Sequence, residues 1–250
     1  MRRLKVSIVT AVYNGESSIV ATLKSVASQD YPNIEHIVVD GDSNDMTPAL
    51  VQANSDRISE FISERDTGVY DAFNKGLRRA TGDVVAYLNC GDTYVFPDVV
   101  SRIIGALSRE GVQAAFADVL IVDSKDWNCV IRRYSSRKFA PKFMAFGLMP
   151  AHPTLFLHRK IYERVGGYNT DFRIAGDFEL CIRVFLKAAT RYYYLNYPVV
   201  RMPTGGLSNR GWRSKFAITN EMLEACKIND VQSSYAKLCL RFPLKFLEMI

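Results

Sequence analysis

An α/β fold resting on buried parallel strands is predicted by three observations. Short runs of β-branched and apolar residues each end on a polar or acidic residue, and the segments between them carry apolar positions at helical spacing. Runs that are apolar throughout, rather than alternating, suit strands covered on both faces, as parallel strands are. The third observation is negative: no G-x-G-x-x-G follows the first run and no G-x-x-x-x-G-K-S/T occurs. Both a dinucleotide fold and a P-loop fold therefore lose their expected phosphate cradle.

The elements follow in order. Val6 to Asn14 is the first strand, ending in the polar Tyr13-Asn14-Gly15. Ile19, Leu23, Val26 and Ala27 then share one helical face, with Ser17 or Ser18 as the expected cap. His36-Ile37-Val38-Val39-Asp40 is the second strand, followed by Gly41-Asp42-Ser43-Asn44-Asp45. A strand, helix, strand unit of this length implies a parallel pair with a right-handed crossover. The unit recurs, with Thr47 to Asn54 helical, Ile58 to Ser63 extended, Tyr70 to Ala80 helical and Val84 to Leu88 extended.

Two of these strands deliver carboxylates to what is expected to be one rim, Asp40 on the second and Asp92 just past the fourth, in Leu88-Asn89-Cys90-Gly91-Asp92. The carboxyl edge of an open α/β sheet is where ligands bind. Asp92 is accordingly a candidate metal or phosphate contact, the alternative being a turn residue ahead of Pro97-Asp98. Carboxylate-held Mg²⁺ is one way to handle phosphate without a glycine-rich loop.

Composition agrees with one globular unit, since 250 residues with 48% hydrophobic content can bury a sizeable core. Residues 1–100 hold 9 Lys and Arg against 14 Asp and Glu, and residues 101–250 hold 23 against 12. The second half is thus strongly basic, which suits diphosphates or an anionic membrane surface. Those cations are scattered and form no recognised module, so nucleic acid is not an expected partner. Five cysteines with no C-x-x-C point to reduced thiols and a cytoplasmic setting. Met1-Arg2-Arg3 runs into the first strand without an apolar leader, and no run reaches the length of a membrane span. The tail from Tyr235 to Leu247 mixes Lys and Arg with large apolar residues and either lies on the inner-membrane surface or packs on the protein.

Several motifs, in one order, carry a family resemblance. They are Ser7 to Asn14; Ser28-Gln29-Asp30-Tyr31-Pro32 leading to Val38-Val39-Asp40-Gly41-Asp42-Ser43; and Ser63-Glu64-Arg65-Asp66-Thr67-Gly68-Val69-Tyr70-Asp71-Ala72-Phe73-Asn74-Lys75-Gly76. Next come Ala80-Thr81-Gly82-Asp83 with Asn89-Cys90-Gly91-Asp92, and then Gly166-Gly167-Tyr168 with Gly176-Asp177-Phe178-Glu179-Leu180. The chain resembles the family 2 inverting nucleotide-sugar glycosyltransferases from about Lys5 to about Ser208. The resemblance implies a GT-A, Rossmann-like single domain with a mixed, mostly parallel central sheet flanked by helices. Residues 1–215 would form it, 1–100 binding the nucleotide-sugar and 101–215 the acceptor, with 216–250 a helical, membrane-associating or packing extension.

The resemblance also implies roles. Thr10, Ala11, Tyr13 and Asn14 would meet the base and ribose of the donor, as would Asp40, Asp66, Asn89 and Gly91 around it. Asp92 would coordinate Mn²⁺ or Mg²⁺ on the diphosphate, and Asp177 would be the general base. His152, Ser208 and Arg210 would contact acceptor or phosphate, and the aromatic and basic stretch Ser124 to Lys142 would line the acceptor side. Relatives often carry acids where this chain has Gly41 and Gly91, so Asp42 or Asp66 is expected to substitute at the base and Asp92 to hold the metal alone. Plain alternatives stand beside these roles: a turn carboxylate for Asp66, a helix-start charge for Asp177, a satisfied loop residue for His152 and a loop-bonded Asn89. Without the Q-x-x-R-W signature of processive synthases, a single transfer from a UDP-sugar to a saccharide, lipid-linked acceptor of surface-polysaccharide or O-antigen assembly is expected. A non-catalytic nucleotide-sugar binder and a sugar-1-phosphate nucleotidyltransferase are the rivals.

Overall fold

Three strands enter the core already paired. In the computed structural model, which describes residues 3–205 and 212–242, β1 (Val6–Val12) lies between β2 (Ile34–Asp40) and β4 (Val84–Tyr87), parallel to both. β3 (Glu60–Ser63) adds in parallel to the free side of β2. All of β1 is buried, as its unbroken apolar and β-branched run requires. The connecting helices are α1 (Ile19–Ala27), α2 (Thr47–Ala53) and α3 (Val69–Arg79). A Cβ on Gly76 of α3 would overlap Val9 of β1, so this glycine lets helix and sheet approach closely.

The sheet turns mixed at β8 (Phe156–His158), which runs antiparallel to β4 and then to β6 (Ala114–Val122). β9 (Tyr192–Pro203) pairs in parallel with β6, and β5 (Thr93–Tyr94) closes that edge antiparallel to β9. The order is β3-β2-β1-β4-β8-β6-β9-β5, with β7 (Val130–Tyr134) attached to β6. α4 (Val99–Leu107) packs on one face. On the other lie α5 (Arg159–Val165), α6 (Gly176–Ile182, continued by a π turn to Lys187), α7 (Trp212–Ile228) and α8 (Tyr235–Cys239).

Details depart from the sequence reading for local reasons. Ser18 precedes α1 but makes no side-chain cap; its hydroxyl lies 3.3 Å from the Cys90 thiol. β3 begins at Glu60 because Ser55–Arg57 closes a 3₁₀ turn, the Ile58 N–H donating to the Ser55 carbonyl at 2.8 Å. The division expected at residue 215 falls inside α7, whose Met222, Ala225 and Cys226 are buried in the main core. The described part of the tail packs as well: Leu238 is buried and the Arg241 guanidinium donates to Thr219 Oγ1 at 2.7 Å. Residues 243–250 lie outside the described residues. Among the described residues no helix is long and apolar enough to cross a membrane.

Candidate active site

β1, β2 and β4 end side by side, so Tyr13-Asn14, Asp40-Gly41 and the turn after β4 share the carboxyl edge of the sheet. Tyr13 is 64% exposed and offers a flat face. Asn14 takes the left-handed conformation at φ 48°, which Asn tolerates better than most side chains. Its N–H donates to Ser43 Oγ at 2.8 Å and its Oδ1 accepts from the Asn44 N–H at 3.0 Å, stitching the loop after β1 to the loop after β2.

Three of the expected donor contacts are engaged by the protein itself. Thr10 is fully buried and its hydroxyl lies 3.0 Å from His36 Nε2, so its side chain braces β1 on β2. Ala11 is nearly covered, and its carbonyl accepts from the Cys90 N–H at 3.3 Å. Asp40 also has no exposed surface: its carboxylate accepts from the Ser43 N–H at 3.1 Å, from the Ser63 hydroxyl at 2.7 Å and from the Ser43 hydroxyl. A strand-end Asp commonly bonds its own downstream backbone in this way. Asp40 thereby holds the rim in shape, leaving little acceptor capacity over.

Asp66 occupies the space that Gly41 leaves. A Cβ at 41 would stand 2.5 Å from Asp66 Oδ2. The carboxylate accepts from the Gly68 N–H at 3.0 Å, and burial, helped by the nearby Asp71 and Asp40, raises its pKa. Lys75 fastens this loop from α3, donating to the Arg65 carbonyl at 2.6 Å and pairing with Glu64 at 3.1 Å.

The turn after β4 gathers oxygen donors. Asp92 is buried, and desolvation pushes its carboxyl up to about 8. Its N–H donates to the Asn89 carbonyl at 2.9 Å, while Asn89 Oδ1 is buried without a partner, so the loop-bonded reading of that side chain is not what forms. Gly91 holds φ 95°, a conformation that an acid at this position would adopt only under strain. A desolvated carboxylate and an orphaned amide oxygen on one turn fit a hard divalent cation. Among the described residues no three His, Cys, Asp or Glu side chains gather at one point, so such an ion would complete its shell from phosphate and water.

The second acid comes from α6. Asp177, its second residue, is partly accessible and accepts from the Phe178 N–H at 2.8 Å. Burial raises its pKa, and His152 opposes that rise. The Tyr70 hydroxyl donates to the Ile174 carbonyl at 2.7 Å and lies 3.4 Å from Asp177 Oδ1. Tyr70 opens α3 just after the Asp66 loop, so one side chain ties the two halves of the site. His152 is buried with Nε2 2.7 Å from the Tyr168 hydroxyl, and desolvation lowers its pKa. Part of the acceptor-side stretch is also committed: Arg133 pairs with buried Asp118 at 2.6 Å, and the Tyr134 hydroxyl donates to the Met149 carbonyl at 2.9 Å. Ser208 and Arg210 lie outside the described residues.

Three residues that sequence reasoning passed over hold this arrangement. Tyr70 and Asn74 lie in one quoted motif and Tyr168 in another. Asn74 exchanges hydrogen bonds of 2.8 Å with both the N–H and the carbonyl of Tyr168, and the Tyr70 and Tyr168 rings stack at 5.6 Å. The signal was present as two motifs; their contact across 94 residues was not.

A parallel half whose strand ends carry acids, joined through an antiparallel strand to a half supplying another acid, defines the GT-A class of nucleotide-sugar transferase. The chain belongs to glycosyl transferase family 2, whose family model matches residues 7–166. It is 33% identical over 190 residues to an uncharacterized glycosyltransferase of Mycobacterium tuberculosis, covering 72% of this chain and 69% of the other. A PGL/p-HBAD biosynthesis glycosyltransferase of Mycobacterium bovis is 29% identical over 211 residues, covering 81% and 78% respectively. Among solved structures, a mannosyltransferase of Pyrobaculum calidifontis in complex with GDP-Man and Mn²⁺ superposes with a TM-score of 0.70 at 22% identity, covering 94% of this chain and 67% of that one. TarS of S. aureus in complex with UDP gives 0.67 at 16% identity, covering 94% and 69%. The protein is a glycosyltransferase of GT-A fold.

Proposed function

We propose that the protein moves one sugar from a nucleotide-diphosphate donor, UDP-linked in the first instance, to a hydroxyl of a saccharide acceptor, inverting the anomeric carbon. Asp177 takes the acceptor proton as that oxygen bonds to the anomeric carbon, and the sugar–phosphate bond breaks with its electron pair passing to the diphosphate. The observation that carries this reading is the seat of Asp177: a partly accessible carboxylate of raised basicity, fixed through Tyr70 to the helix that follows the Asp66 loop. Tyr13 stacks the base, Asp66 accepts from its edge, and residues 101–215 present the acceptor.

Mn²⁺ or Mg²⁺, held by Asp92 with Asn89, would neutralise charge on the departing diphosphate. Support for a metal comes from the mannosyltransferase neighbour, which carries Mn²⁺, and support for the donor class from neighbours holding GDP-Man, UDP and UDP-GlcNAc. The basic second half favours a lipid-linked diphosphate acceptor in surface-polysaccharide assembly, met at the cytoplasmic membrane surface.

The test uses water as acceptor, following release of UDP or GDP from UDP-glucose, UDP-GlcNAc and GDP-mannose with Mn²⁺, and the anomer formed by proton NMR. Asp177→Asn should lower turnover by about 10²–10⁴-fold while the nucleotide still raises the Tm. Retained turnover in Asp177→Asn, or a product of retained configuration, overturns the assignment.

A further inference from the structure

α6 begins without a cap of its own. Its N-cap residue, Ala175, has no side chain able to accept, and residues 173–175 precede the first helical residue, Gly176. They are met from α7. Glu221 Oε2 accepts from the Ile174 and Ala175 N–H groups, each at 2.8 Å, and both its oxygens lie 3.2 Å from the Arg173 N–H. On the opposite side the Tyr70 hydroxyl donates to the Ile174 carbonyl at 2.7 Å. Residues 173–175 are thus gripped through N–H by one helix and through C=O by another, two residues ahead of Asp177.

We infer that Glu221 is a positioning residue for Asp177, setting the frame of the carboxylate through the backbone of residues 173–175. α7 lies beyond residues 7–166 that the family model matches, so nothing in that match assigns Glu221 a role. The inference rests on Asp177 being the base. Glu221 contributes a second effect: as an anion held on the backbone that leads into α6, it disfavours the ionised form of Asp177. The groups that face Asp177 are Tyr70 from α3, His152 from the turn before β8 and Cys181 from α6 itself; Glu221 reaches it through Tyr70 and the shared backbone.

Three variants separate the possibilities. Glu221→Ala removes grip and charge, Glu221→Gln keeps an acceptor oxygen without charge, and Asp177→Asn tests the base. The readouts are kcat and KM for UDP or GDP release, with water as acceptor, and a ¹³C NMR titration of the Asp177 carboxyl, which needs no turnover. Glu221→Ala should lower kcat by about tenfold or more, as small misplacements of a reacting group do, with KM within about twofold. Glu221→Gln should restore most of kcat and move both the acid limb of the rate profile and the Asp177 titration to lower pH. Unchanged kcat and an unchanged titration in Glu221→Ala overturn the inference, as does activity that only tracks the folded fraction. Should Asp177→Asn keep its turnover while Glu221→Gln still moves the Asp177 titration, the base assignment fails and the coupling stands. Where none of these donors turns over, the titration alone decides.

Discussion

At position 41 the absent side chain and the present seat of Asp66 exclude each other, because an added Cβ would stand 2.5 Å from Asp66 Oδ2. Gly41→Ala therefore has a split expectation. The clash is with the end of a side chain that can swing away, so stability should change by less than about 1 kcal/mol. The displaced carboxylate leaves the base-facing rim, so the Tm rise produced by UDP with Mn²⁺ should shrink. An undiminished rise would mean that Asp66 does not meet the nucleotide. The pairing was half legible: the sequence offered Asp42 or Asp66 beside Gly41, and only the fold shows that Asp66, 25 residues away, is the one against it. The partners of Thr10 and Asp40 were hidden for a related reason. Both types suit ligand contact, and nothing in a strand's own spacing says that Thr10 will meet His36, or that Ser43 and Ser63 will occupy Asp40.

Among the elements, α3 does the most to assemble the site. Its first turn carries Tyr70, its middle Asn74 and Lys75, and Gly76 lets it lie close on β1. Asn74 alone satisfies both backbone groups of Tyr168, so Asn74→Ala should leave a donor and an acceptor short of partners and cost about 1–3 kcal/mol. Urea unfolding measures this, and a loss below about 0.5 kcal/mol would show that water replaces the amide. The four parallel strands and their helices were legible because hydrophobic period and strand-end polarity are local properties. α7 was not. Its buried Met222, Ala225 and Cys226 face α6 and the core, while exposed Phe216 and Ile228 spoil a clean stripe, so the pattern alone does not separate a packing helix from a membrane-facing one.

Across the molecule, the two ends of the sheet respond to pH with opposite sign. At the amino end, Glu35 accepts from Lys5, Ser7 and Thr81 and is drawn down from 4.5 to about 2, despite partial desolvation. His36 beside it is lowered by burial from 6.5 to about 4. For both, the unfolded chain binds more protons below its ordinary value, so the stability they contribute is full above pH 6.5 and is lost as pH falls through their folded values. At the carboxyl end burial lifts Asp92 from 3.8 to about 8, so the folded chain binds the extra proton and stability is lost as pH rises through that window. Asp177 and Asp66 are also raised, by burial first, so each acts with the same sign as Asp92 over its own titration range. Between pH 6.5 and 8 the amino-end groups no longer titrate, so the Tm of the ligand-free protein should fall with rising pH. Asp92→Asn should raise the Tm and flatten that fall, at about 2–4 °C for each kcal/mol relieved in a chain of this size. In the metal role proposed for Asp92, Mn²⁺ with UDP would favour its ionised form, so their stabilising effect should grow with pH across the same window and vanish in Asp92→Asn. Parallel profiles for the two proteins, with and without Mn²⁺ and UDP, would place the titration elsewhere and remove Asp92 as the metal contact.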